Sequence, residues 1–108
     1  MDFLKFAQEK QDDFLKDLNT LVSIESTRDL STKAENAPFG KKCREALDAM
    51  LEMGKRDGFV TKDIDGYGGV IEYGEQKDTL GVLGHLDIVP IGDDWTKDPL
   101  KVTVNDGY

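Results

Sequence analysis

Thr79-Leu80-Gly81-Val82-Leu83-Gly84-His85-Leu86-Asp87-Ile88-Val89-Pro90 is the stretch on which the fold turns. Its first six residues are nearly all apolar, the pattern of a strand covered on both faces, as in the middle of an α/β sheet. It runs directly into a His and an Asp two places apart. Residues two apart in extended backbone point the same way, so His85 and Asp87 are expected on one side and Leu86 and Ile88 toward the core. In open α/β sheets ligands bind at the carboxyl ends of central strands, where loops diverge, and the only His of the chain falls there.

Working outward, Phe59 to Ile64 suits a strand, Asp65-Gly66 a turn and Gly69 to Tyr73 a second strand, with Gly68-Gly69 weakening it. Glu75 to Asp78 is a polar turn, and Leu100-Lys101-Val102-Thr103-Val104 alternates as a half-exposed strand does. Upstream, Leu4, Ala7, Phe14, Leu18, Leu21 and Val22 fall near helical spacing, which predicts a helix capped by Asp2 and running to about Val22. Ser26 to Pro38 reads as a loop. A second helix from about Gly40 gathers Cys43, Ala46, Leu47, Met50, Leu51 and Met53 on one side; it ends at Gly58, with Lys55 and Arg56 suited to its negative end. The expected architecture is α/β, two N-terminal helices packed on a mixed β-sheet of about four strands with the 79–84 strand central. Asn105-Asp106-Gly107 is a hairpin-turn signal followed only by Tyr108, so residues 1–108 are expected to stop partway through a larger domain.

The composition sets the outer bounds. With 108 residues, 38% hydrophobic and 33% charged, the chain has material for one modest core. A net charge of -8 argues against nucleic acid, whose binding needs clustered Lys and Arg, and against anionic membranes. No apolar run approaches the roughly 20 residues of a membrane span, and the acidic start is unlike a signal peptide. One Cys, Cys43, forms no internal disulfide, which fits a reducing, cytoplasmic setting.

His85 and Asp87 carry the strongest chemical signal. A neutral imidazole binds a metal through one nitrogen while its other N–H donates to an acceptor, which fixes tautomer and ring orientation. His85 is thus a candidate metal ligand and Asp87 its orienting partner. The same His also suits a purely structural role, and spacing alone leaves both readings open. One His and one Asp do not close a zinc site, which takes three or four protein ligands. Asp93, Asp94 and Asp98 lack the spacing of a calcium loop and read as a solvated turn, with Trp95 and Pro99 packing that loop on the sheet. Cys43 reads as a small core residue, and Ser26 and Thr27 as cap or turn residues. The glycines at 66, 68 and 69 make no nucleotide loop.

Gly84 to Pro90 followed by Gly92-Asp93-Asp94-Trp95-Thr96-Lys97-Asp98-Pro99-Leu100 resembles the first metal-ligand motif of the aminoacylase/carnosinase/acetylornithine-deacetylase metallopeptidases, nearest the bacterial PepV-type dipeptidase branch. Leu21-Val22-Ser23-Ile24-Glu25-Ser26, Lys55-Arg56-Asp57-Gly58-Phe59 and Tyr73-Gly74 extend the similarity over essentially the whole chain. The resemblance implies the N-terminal part of a zinc-peptidase-like catalytic domain that hydrolyses the amide bond of dipeptides at a two-metal centre of zinc, or manganese in some members. It places His85 on one metal and Asp87 in the active site as the acid that orients the imidazole. Paired metals polarise the carbonyl and acidify a bridging water, and a glutamate acts as general base. The family's bridging Asp, Glu pair, further Asp and distant His are absent from these 108 residues. The activity is therefore expected of a longer parent, with the isolated chain inactive and prone to self-association through an open sheet edge. An N-acyl amino acid deacylase of the same family and a non-catalytic acidic binding module are the alternatives.

Overall fold

The structure is a computed structural model that describes residues 1–108. Helix α1 spans Phe3–Glu9, α2 Gln11–Val22 and α3 Lys41–Arg56, with a 3₁₀ turn at Leu30–Thr32; strands β1 Val60–Ile64 and β2 Gly68–Glu72 follow. Asp2 caps α1 as expected, its Oδ1 accepting from the Lys5 N–H at 3.0 Å. The single helix expected to Val22 is instead broken at Lys10, whose N–H is shared between the carbonyls of Phe6 and Ala7. Residues 8–13, Gln-Glu-Lys-Gln-Asp-Asp, offer no apolar side chain to hold one face against a neighbour there. Helix α1 is exposed throughout.

Helix α3 and the hairpin make the packed body. Ala46, Leu47 and Leu51 of α3 are buried, Leu47 and Leu51 against Gly69 of β2, and each leucine so buried contributes about 2 kcal/mol of transfer free energy. Two glycines permit the close approach. A Cβ at Gly69 of β2 would stand 2.8 Å from Leu51 Cδ2, and one at Gly54 of α3 would stand 2.9 Å from Thr61 Cγ2. The Gly that weakens the strand pattern is thus the place where the helix rests on the sheet. The strands are antiparallel, Val60 opposite Glu72 and Ile64 opposite Gly68. Asp65 and Gly66 both have positive φ, and Tyr67 N–H closes the turn on Ile64 C=O at 2.9 Å, the geometry that suits strand twist. Gly58, at φ +85, follows α3 as expected.

Two arginines tie the pieces together. Arg44 of α3 reaches Asp63 of β1 at 2.6 Å, the Asn36 carbonyl at 3.1 Å and Asp48 on its own helix. The Gly66 N–H and then the Arg44 guanidinium hold Asp63 below the usual carboxylate range. Arg56 donates to both carboxylate oxygens of Asp17, at 2.8 and 2.7 Å, and so ties α2 to α3. That bidentate pair holds Asp17 below its ordinary value.

The rest of the expected sheet is not formed. The only sheet is the two-stranded β1–β2 hairpin, which corrects the mixed sheet of about four strands with a central 79–84 strand. Leu80, Val82 and Leu83 are 90%, 89% and 95% exposed. Apolar pattern specifies what a strand would bury, but a strand also needs a neighbouring edge to pair with, and residues 79–84 pair with neither outer edge of the β1–β2 hairpin. Leu100 to Val104 likewise forms no strand; Val102 N–H donates instead to the Asn19 side chain of α2 at 2.9 Å. The Asn105–Tyr108 turn does form, with reciprocal main-chain bonds of 2.9 and 3.0 Å. No helix is long and apolar enough to cross a membrane.

Candidate functional site

Helix α2 ends at Val22, and the chain then runs through Ile24, buried, to Ser26, which is 1% exposed. Ser26 Oγ donates to the Leu86 carbonyl at 2.6 Å, and its own carbonyl accepts the Ile88 N–H at 3.1 Å. A parallel bridge between Thr27 and Ile88 continues the pairing. The cap-or-turn reading of Ser26 is therefore incomplete: this residue holds the 86–88 segment from 60 positions away. No local pattern around Ser26 signals such a bond.

On the far side of that attachment, His85 and Asp87 stand together. His85 Nδ1 lies 2.9 Å from the Asp87 carbonyl oxygen and 3.4 Å from Asp87 Oδ1. A carbonyl only accepts, so Nδ1 carries a proton, and in the neutral ring Nε2 is then the lone-pair nitrogen. Asp87 thus orients the ring chiefly through its main chain, with its carboxylate close by. The side chains are 84% and 67% exposed, while Leu86 between them is half-buried.

These residues border an open groove of about 640 Å³. Leu47, Met50 and Leu51 of α3 and Ile71 of β2 supply apolar wall, while Arg28 lines it alongside His85 and Asp87. Cys43 also faces it and donates through Sγ to the Ser26 carbonyl at 3.3 Å. Burial first, and the Asp87 charge second, push the Cys43 thiol up, away from the thiolate a nucleophile requires. Beyond the groove, Asp98 Oδ1 accepts the Leu100 N–H at 2.9 Å, as a turn residue does. Trp95 does not pack on the sheet; it is 59% exposed, and its indole N–H closes its own loop on the Ile91 carbonyl at 2.6 Å.

The donor chemistry suits part of a metal site. An imidazole with its Nδ1 proton engaged and its Nε2 lone pair exposed is the form in which histidine ligates a divalent ion, and a carboxylate stands beside it. No group of three or more His, Cys, Asp or Glu side chains is brought together, so these residues make part of a ligand shell and not a closed one.

No protein-family model matches the chain. The curated relatives it does match define a class, the bacterial dipeptidases. It is 48% identical over 98 residues, 91% of its length, to a protein of Staphylococcus epidermidis named "Putative dipeptidase". YtjP of Bacillus subtilis, also named a dipeptidase, is 41% identical over 98 residues. The Beta-Ala-Xaa dipeptidase of Lactobacillus delbrueckii subsp. lactis is 39% identical over 106 residues, 98% of the chain. The chain is similar to these dipeptidases over nearly all of its own length, and it spans about a fifth of theirs, 21–23%.

Proposed function

We propose that this chain forms part of the catalytic domain of a metal-dependent dipeptidase, in which His85 ligates one ion of a zinc pair, or of manganese, through Nε2, and Asp87 orients it. The observation that carries the reading is the Nδ1–H bond to the Asp87 carbonyl, which leaves Nε2 as an exposed lone pair beside a groove. Similarity to dipeptidases across 91–98% of the chain supports the substrate class, a dipeptide cleaved at its amide bond.

When bound, the ions supply Lewis acidity toward the scissile carbonyl and a more acidic water. The chain's own part is to hold the imidazole in one tautomer and to offer the groove's apolar wall to a substrate side chain. A general base and the remaining ligands belong to residues outside these 108, so the chain alone is inactive. The acidic balance, net -8, argues against a nucleic-acid partner, and the lone reduced Cys43 suits the cytoplasm.

The test uses the full-length polypeptide that carries this sequence. Hydrolysis of unblocked dipeptides is expected to cease on chelation, to return with zinc or manganese, and to fall at least about 100-fold in His85→Ala. N-acetyl amino acids cleaved in preference to dipeptides would move the substrate class to deacylation. Full activity in His85→Ala would return the chain to a non-catalytic acidic module.

A further inference from the structure

We propose that Ser26 is the positioning residue of the His85–Asp87 pair, an inference that rests on the dipeptidase reading above. The argument begins with peptide geometry. The Asp87 carbonyl and the Ile88 N–H belong to one planar peptide unit, and in a trans unit they point in opposite directions; no cis bond occurs in the chain. The Ile88 N–H is directed onto the Ser26 carbonyl at 3.1 Å. The Asp87 carbonyl is therefore turned away from Ser26, and there it meets His85 Nδ1 at 2.9 Å. Fixing one end of the unit aims the other at the imidazole.

The Ser26 hydroxyl secures the preceding unit. Its 2.6 Å bond to the Leu86 carbonyl, together with the Ile88 bond, brackets Asp87 on both sides. Ser26 is 1% exposed, so water does not replace that bond readily, and without the hydroxyl the Leu86 carbonyl loses its partner. The anchor is itself held, because Cys43 Sγ of α3 donates to the same Ser26 carbonyl at 3.3 Å. The exposed motif is thus tied through one buried serine to the packed body.

The experiment measures zinc affinity of the full-length polypeptide by competition with a chromogenic chelator, beside kcat, KM and thermal melts, for Ser26→Ala, Ser26→Thr and His85→Ala. Ser26→Ala is expected to bind zinc roughly tenfold more weakly and to lose kcat with KM unchanged, as loss of support to a ligand does. Ser26→Thr keeps the hydroxyl and is expected to restore most of both. A cooperatively melting Ser26→Ala with wild-type affinity and kcat, where His85→Ala has lost both, overturns the role of Ser26 and leaves the dipeptidase reading standing. If His85→Ala also changes neither, the dipeptidase reading itself fails. Should Ser26→Ala not melt cooperatively, Ser26→Thr decides: wild-type zinc affinity sustains the proposal, and a tenfold loss in the folded variant overturns it.

Discussion

Residues 41–73 and residues 79–108 use the same kinds of apolar side chain, yet Leu47 and Leu51 are 7% exposed while Leu80 and Leu83 are 90% and 95% exposed. The difference lies in where each segment finds its partner. Helix α3, β1 and β2 are consecutive, so a Gly-containing turn and a short connection bring their apolar faces together. The 79–84 segment asks for strand edges on both sides, yet it pairs with neither outer edge of the hairpin, whose strands bond only to each other. Hydrophobic pattern states what a segment would bury; partners decide whether it does.

Substitutions in the two regions break or sharpen this contrast. The largest effect is expected at Gly66, at φ +77 and packed beside the Asn36 carbonyl. Gly66→Ala there combines left-handed strain with a main-chain clash and should cost about 3 kcal/mol or more, read as loss of a cooperative thermal melt. Leu51→Ala empties part of the α3–hairpin contact and should cost about 2–3 kcal/mol in urea unfolding. Leu83→Ala, the same change in the open region, should stay within about 0.5 kcal/mol; a loss as large as that of Leu51→Ala would show that residues 79–84 are packed in solution. The smallest effect is expected with pH. Asp17, Asp57 and Asp63 have folded values below 3.8, so their contribution is complete above that value and is lost as pH falls through the folded ones. Melts should be insensitive to these groups from pH 7 to 5 and decline below about pH 4, less steeply in Arg56→Gln, which removes the partner of Asp17 and Asp57.

The packed region was legible in the sequence because its determinants are local. Asp2 caps three residues ahead, Asp65-Gly66 closes a turn on its own neighbours, and the stripe from Cys43 to Met53 needs only helical spacing. The motif was legible as a pair, since Asp87 lies two residues from His85, but the orienting atom was not: extended geometry suggests the carboxylate, and the main-chain oxygen lies closer. Ser26 was illegible, because a bond across 60 positions leaves no periodic trace. The break at Lys10 was also hidden, since charged residues of good helix propensity read as uninterrupted helix. The 79–84 and 100–104 segments carry strand patterns but form no strands, because pairing is something no single segment encodes.

The indole of Trp95, the sole tryptophan, is mostly in contact with water while its N–H is committed to the Ile91 carbonyl, six positions past His85. Its emission should accordingly be red-shifted and readily quenched by iodide. Any partner surface that closes over this loop would shift that light to the blue, giving the molecule an intrinsic optical gauge of how far its exposed side has been covered.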